Sequence, residues 1–268
     1  MNQLRIVVIL AGLALLAMLA ASAGAASVPQ LEWIRTYDSP AHDYDWCSDV
    51  ALDATGNVYI TGREYRPDLG QYNNIWLRKY DTNGNTLWTQ TYDSPAHSQD
   101  WGYGVAVDAA GNVYVTGIED RSDLGQGVNI WLRKNDTNGN TLWTQTYDSP
   151  AHSYDVGYGI AVDAAGNVYV TGWEYRGDLG QGVNIWLRKY DTNGNTLWTQ
   201  TYDSPTHKWD WGYGVAVDAA GNVYVTGDLA EEDIILLKYS QVPEPGTLAL
   251  IAPALLGFAG IAFRKMRK

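Results

Sequence analysis

All four histidines of the 268-residue chain, His42, His97, His152 and His207, stand 55 residues apart. Neutral imidazole ligates transition metals, so four copies in register could surround one ion. The same residues suit a turn, since each follows a Ser-Pro or Pro-containing pair by two positions. Tandem copying repeats every residue, useful or not, and the turn reading takes precedence. Asp81-Thr82-Asn83-Gly84-Asn85 and its copies at 136–140 and 191–195 place oxygen donors at alternate positions, a pattern that suits calcium. The run is shorter than a twelve-residue calcium loop and lacks its terminal Glu. Asn-Gly alone explains it as a hairpin turn. No cofactor is expected; calcium or a transition metal are the ones these residues could hold.

A second set could bind rather than ligate. Glu64-Tyr65-Arg66, Glu119-Asp120-Arg121 and Glu174-Tyr175-Arg176 recur in one loop, and the position before them varies as Arg63, Ile118 and Trp173. Trp46, Trp101, Trp209 and Trp211 fall in the other long loop. Tyr65, Tyr175 and these tryptophans, with Arg66, Arg121 and Arg176, could stack on sugar rings or grip a surface protein. The alternative is packing between repeats, which takes the strand residues Trp76, Trp131, Trp186, Trp88, Trp143 and Trp198. Asp45, Asp100, Asp155 and Asp210 qualify as an acid–base set by location only. Acid and base need different environments, and near-identical repeats offer one environment four times. No nucleophile elbow, phosphate loop or zinc-protease motif is present. The expectation is a non-catalytic binding or structural scaffold. The alternative is a secreted polysaccharide hydrolase or lyase using the long-loop face. Cys47, a lone thiol, reads as incidental.

The elements that position these residues come from a tandem repeat. Thr-Tyr-Asp-Ser-Pro begins at Thr36, Thr91, Thr146 and Thr201, and Gly-Asn-Val-Tyr at Gly56, Gly111, Gly166 and Gly221. Residues 91–145 and 146–200 agree at 48 of 55 positions. A period near 50 points to a propeller or another repeat array. Each period holds four strand signals, exemplified by Tyr103–Asp108, Asn112–Gly117, Asn129–Asn135 and Thr141–Tyr147. Four antiparallel strands make one propeller blade. The array starts on a spare outer strand, Leu31–Tyr37, and ends on a third strand, Asp233–Tyr239. The predicted fold is therefore all-β: four four-stranded blades, the last completed by the N-terminal strand. Both long loops then share one face, the candidate binding face.

The ends differ in kind. Residues 1–26 read as a signal peptide: Arg5, an apolar run from Ile6, then Ala23-Gly24-Ala25-Ala26. Residues 242–268 combine a proline-rich breaker, an apolar run Leu248–Phe263 and a basic end, which reads as a membrane segment with its positive side cytoplasmic. Both are expected to flank the fold as hydrophobic helices. The chain carries net charge −12. Five of its 18 basic residues (Arg5, Arg264, Lys265, Arg267, Lys268) and one of its 30 acidic ones (Glu244) lie in the ends, leaving the 27–241 domain at −16. That balance excludes nucleic acid as a partner. Every Met and Phe lies in the ends, and all 12 Trp and 19 Tyr lie in the domain.

Two family resemblances follow. The string Val105-Ala106-Val107-Asp108-Ala109-Ala110-Gly111-Asn112-Val113-Tyr114-Val115-Thr116-Gly117 stands again at 160–172 and 215–227, with a variant at 50–62. It resembles the bacterial SBBP β-propeller repeat. That label implies seven blades, whereas four periods are present. A closed four-blade ring, two chains forming eight blades, and an incomplete propeller stay open, with the strand count favouring the first. The tail, Val242-Pro243-Glu244-Pro245 with its apolar run and basic end, resembles the PEP-CTERM sorting signal. That resemblance implies an exosortase-type partner acting near Pro243, Glu244 and Pro245. It also implies export to the envelope or beyond, and an association with extracellular polysaccharide.

Overall fold

Short alternating runs of Val, Ile, Tyr, Trp and Thr, punctuated by Asp-x-x-Gly-Asn, fold into antiparallel meanders. The structure, a computed structural model, describes residues 28–230 and 233–240. The expected signal peptide and sorting tail lie outside the described residues. Among the described residues no helix is long and apolar enough to cross a membrane.

The first blade contains β1 (Trp46–Leu52), β2 (Val58–Tyr65), β3 (Asn73–Tyr80) and β4 (Thr86–Tyr92). The second contains β5 (Trp101–Val107), β6 (Val113–Asp120), β7 (Val128–Asn135) and β8 (Thr141–Tyr147). The third contains β9 (Asp155–Val162), β10 (Val168–Tyr175), β11 (Val183–Tyr190) and β12 (Thr196–Tyr202). The fourth has β13 (Trp211–Val217), β14 (Val223–Asp228) and β15 (Ile234–Tyr239). Each sheet pairs its strands in chain order, three sheets with four strands and the last with three.

Turn chemistry sets the register. Asp108 Oδ1 accepts from the Ala110 and Asn112 backbone N–H groups, each at 2.9 Å, and Oδ2 accepts from the Asn112 side chain and the Tyr114 hydroxyl. Gly111 supplies the left-handed residue at φ 82°. Burial pushes the Asp108 carboxyl up, but the Asn112 and Tyr114 hydrogen bonds outweigh it and hold it below the usual range. One bulge interrupts the β5–β6 register between Gly102 and Gly104. There Gly117 lies so close to β5 that a Cβ on it would meet Trp101 O at 1.9 Å.

The core lies between blades. Tyr59, Ile75 and Leu77 of the first blade pack against Val105, Val113, Val115 and Trp131 of the second. Tyr114, Ile130 and Leu132 pack on Val168, Val170 and Trp186 in the same way. The innermost strands meet in series, β1 on β5, β5 on β9 and β9 on β13.

Two expectations are corrected here. Among the described residues the fourth blade has three strands, and no strand occurs in residues 28–45. The blades do not close into a ring as expected: β13 does not pack on β1 as neighbouring inner strands pack on each other, and the faces that would meet, Val50 and Leu52 on the first blade and Ile234 and Leu236 on the last, stay exposed. The described residues 28–35 lie outside the compact unit that holds the blades. The fold is thus an open run of propeller blades.

Gly117→Ala is expected to cost at least about 3 kcal/mol, because the new methyl meets backbone rather than a movable side chain. Gly125→Ala, at φ 72° with open space around it, should cost about 1–2 kcal/mol from left-handed strain alone. Urea unfolding of both variants checks the order.

Candidate functional site

The repeated polar residues are used first by the scaffold. Each histidine sits at positive φ, between 49° and 52°, and closes a turn by donating its backbone N–H to the preceding Ser: His42 to Ser39, His97 to Ser94, His152 to Ser149 and His207 to Ser204, all at 2.9 Å. Nδ1 of each pairs with the Asp four residues earlier: Asp38, Asp93, Asp148 and Asp203. Each imidazole is thus held within its own loop. Among the described residues no three His, Cys, Asp or Glu side chains are placed to hold an ion. The Asp136 carboxylate accepts the Asn140 side chain and the Asn138 and Asn140 backbone N–H groups, a self-contained hairpin turn.

Asp100 is fully buried and ties two loops together: Oδ2 accepts Ser94 N–H at 2.5 Å and Oδ1 accepts Asp120 N–H at 3.0 Å. Asp155 does the same for Ser149 and Tyr175. Asp45 and Asp210 accept Ser39 and Ser204 N–H. Burial raises Asp100 and Asp155 to about 7, against the pull of those backbone hydrogen bonds. The arginines expected in binding are engaged as well. Arg66 Nε lies 2.9 Å from Asp68 and Nη1 3.5 Å from the buried Glu64, and Arg121 and Arg176 repeat the arrangement.

One concave cluster of accessible aromatics lies at the inner strands. A cavity of about 690 Å³ lies among the starts of β1, β5, β9 and β13. Tyr103, Tyr158 and Tyr213 form a ladder along it, with ring centroids 4.7 and 5.4 Å apart. Trp101 stands edge-on to Tyr103 at 6.0 Å. The Arg63 guanidinium lies 4.0 Å over Trp101 and 5.8 Å from the ring centre of Trp46. Burial raises all three tyrosine hydroxyls above their ordinary pKa, so they are neutral donors at physiological pH. A neighbouring depression of about 440 Å³ shares Arg63 and Trp101 and adds Tyr44, Tyr65 and Tyr72.

Three of the repeats match a family described as SBBP, a β-propeller repeat, at residues 96–117, 151–173 and 207–228. No curated protein matches the chain. Among solved structures, one similar chain is a structural-genomics target provisionally named a gluconolactonase: 15% identity, TM-score 0.41, 74% of this chain and 64% of that one. Another is a gluconolactonase from Xanthomonas campestris: 15% identity, TM-score 0.38, 68% of this chain and 54% of that one. A mannose phosphorylase from Leishmania mexicana is more distant, at 8% identity and TM-score 0.25 over 72% of this chain and 82% of that one. The chain thus spans less than two thirds of the length of both gluconolactonase structures. The expectation that the chain is not an enzyme is corrected here: the similar structures are named as enzymes, and no activity is carried over from them to this chain. With TM-scores below 0.5, these likenesses establish neither the fold nor a substrate.

Of the residues singled out in the sequence, Trp46 and Trp101 line the cavity and Tyr65 the depression beside it. Trp173 packs against Ile118, Val128 and Val156. Trp209 and Trp211 pair edge-to-face at 5.8 Å on the fourth blade, outside the cavity lining, and Tyr175 is exposed at the end of β10. Trp46, Trp101 and Trp211 open strands rather than sit in loops, since the inner strands extend further than the alternation indicated. Sequence reasoning missed Arg63 and the three tyrosines. Their signal was present: Arg63 is the odd member of a varying position, and Cys47-Ser48-Asp49 replaces the Gly-Tyr-Gly of the other blades.

The buried carboxyls predict a pH dependence. Their folded pKa of about 7 lies above the ordinary value near 3.9. Their contribution is therefore fully present below pH 4 and is lost as pH rises through 7. Thermal melts from pH 4 to 8 should fall over this window and flatten in Asp100→Asn with Asp155→Asn. Each substitution should also lower stability by about 1–3 kcal/mol, because one buried N–H loses its acceptor.

Proposed function

We propose that the domain binds a neutral carbohydrate in the aromatic cavity at the long-loop end of its inner strands. The observation that carries this is the Tyr103–Tyr158–Tyr213 ladder, continued by Trp101, Arg63 and Trp46 around one cavity. Aromatic faces take the apolar faces of sugar rings, while neutral hydroxyls and a guanidinium meet the sugar hydroxyls. A domain charge of −16 repels polyanions and makes an uncharged glycan the better fit.

The wider setting is part of the same reading. The chain is exported and carried to the envelope or outside it, with residues 1–26 as the signal peptide. The Pro243-Glu244-Pro245 tail is the substrate of an exosortase-type enzyme, and the apolar segment after it engages the membrane. Its ligand is then a glycan of the extracellular matrix.

Calorimetric titration with neutral and acidic oligosaccharides tests the binding reading. Neutral glycans are expected to bind. Trp101→Ala and Tyr158→Phe should weaken them about tenfold or more and a few-fold, respectively, from lost stacking area and one hydrogen bond. Binding confined to acidic glycans, or neutral binding untouched by Trp101→Ala, would discard the cavity as the site. Product analysis of the same samples reads any turnover.

A further inference from the structure

The two ends of the blade array carry halves of one interface. In each inner joint, Ile and Leu from the third strand of one blade are buried by Val from the first strand of the next. Ile75 is 2% and Leu77 3% exposed, against Val105 at 5%. Their counterparts at the ends are open: Ile234 is 88% and Leu236 66% exposed on the last blade, and Val50 59% and Leu52 64% on the first. Each open face therefore has the shape and chemistry that the array itself buries elsewhere.

The outer part of the same joint is already assembled. Tyr92, ending β4, stacks on Trp131 of the following blade at 5.0 Å and donates to Glu119. Tyr37 makes the same contacts with the first blade, stacking on Trp76 at 4.8 Å and donating to Glu64. Tyr37 thus occupies the place of an outer-strand tyrosine from a blade preceding the first. The residues before it match an outer strand in sequence, and among the described residues the fourth blade is the one without an outer strand.

We propose that these end faces join between two copies of the chain, head to tail, closing a ring of eight blades. A constant step between blades curves about one axis, and head-to-tail addition closes into a ring when that step divides the circle. Four steps of the observed kind leave the first and last blades unjoined, because β13 does not pack on β1 as the inner strands pack on each other and both end faces stay exposed. Propellers carry about four to eight blades, and two copies give the one multiple of four beyond four in that range. Such a ring buries both open faces and leaves no heterologous end to propagate a fibre. One fit is tight. Cys47 stands where the inner joints have Gly102, whose added Cβ would lie 3.2 Å from Ile75 Cγ2 and 2.4 Å from Thr61 Oγ1. Thr226, the counterpart of Thr61 on the last blade, is exposed and free of the Trp carbonyl that fixes Thr61, so it can turn aside.

That geometry supplies the test. Cys47 of one copy should lie against Ile234 of the other, within disulfide reach. The full chain carrying Ile234→Cys is expressed with its native ends, oxidised mildly in the intact envelope, and run without reductant. A covalent species of twice the chain mass, absent from Cys47→Ser with Ile234→Cys, is the expected result. A cross-linked species of single mass means the chain closes on itself, and a ladder means open polymers; either overturns the ring. The unsubstituted chain, extracted in detergent, should sediment as a dimer, and Ile234→Asp with Leu236→Asp should shift it at least tenfold toward monomer. A monomeric unsubstituted chain overturns the proposal, and the exposed positions of both substitutions leave the blades themselves intact.

Discussion

Tyr92 leaves the outer strand of one blade and lands on Trp131 of the next, ring on ring at 28°, while its hydroxyl donates to the buried carboxylate of Glu119 at 2.6 Å. Arg133 covers both rings, 4.4 Å from one and 4.8 Å from the other. Burial raises the Glu119 pKa, and Tyr92, Arg121 and Arg133 together work against that rise. Stacking contributes about 0.5–1.5 kcal/mol beyond its buried area. The larger consequence is conditional: with one partner removed, a buried charge is left uncompensated, which costs about 3–5 kcal/mol. The joint holds only when every member is present, and the rest of the array depends on it.

Repetition of that joint explains where the repeats are free to differ. Tyr147 on Trp186 with Glu174 and Arg188, and Tyr37 on Trp76 with Glu64 and Arg78, reproduce it. The first blade keeps every joint residue, yet departs at Cys47, Ser48, Asp49 and Arg63. Those departures all line the cavity. Stability in a repeat array is close to a sum of repeat and neighbour terms, so the outer joints can stay fixed while the inner edge changes. Asp49 shows the trade in one residue: it replaces a repeated Gly and its carboxylate accepts the Val105 N–H of the neighbouring inner strand at 2.9 Å.

Much of this was legible in the sequence. The 55-residue period, the four strands per period and the Asp-x-x-Gly-Asn turns follow from alternation and turn chemistry, which are local. The outer strand Thr141–Tyr147 was placed to the residue. The openness of the array was not legible, because counting strands says which pairings would satisfy an edge but not the angle between neighbouring blades. That angle depends on how Gly102 and Gly104 let inner strands approach, at distances where a methyl group does not fit. Nor could the sequence separate the loop arginines from ligand-binding ones. Arg66, Arg121 and Arg176 look available until the buried glutamates beside them are seen. The histidines were better placed: a turn residue was preferred, and the left-handed backbone at all four is a local demand that His tolerates.

The last internal joint shows what the polar version adds. Tyr202 packs on the same apolar cluster as Ile235 and Leu237, which stand where the other blades have Trp and Arg, and Leu229 stands where they have the buried Glu. That joint is apolar, so it holds the fourth blade by burial without a hydroxyl–carboxylate contact to fix its register. Apolar contacts tolerate small slides that a satisfied hydrogen bond does not. The blade that must adapt to a different neighbour on its far side is thus the one whose near joint is least directional. On the opposite end, Tyr37 keeps the polar joint and fixes the first blade, which carries the altered cavity wall. Rigidity is placed under the side chains that line the site, and compliance is placed at the end of the array.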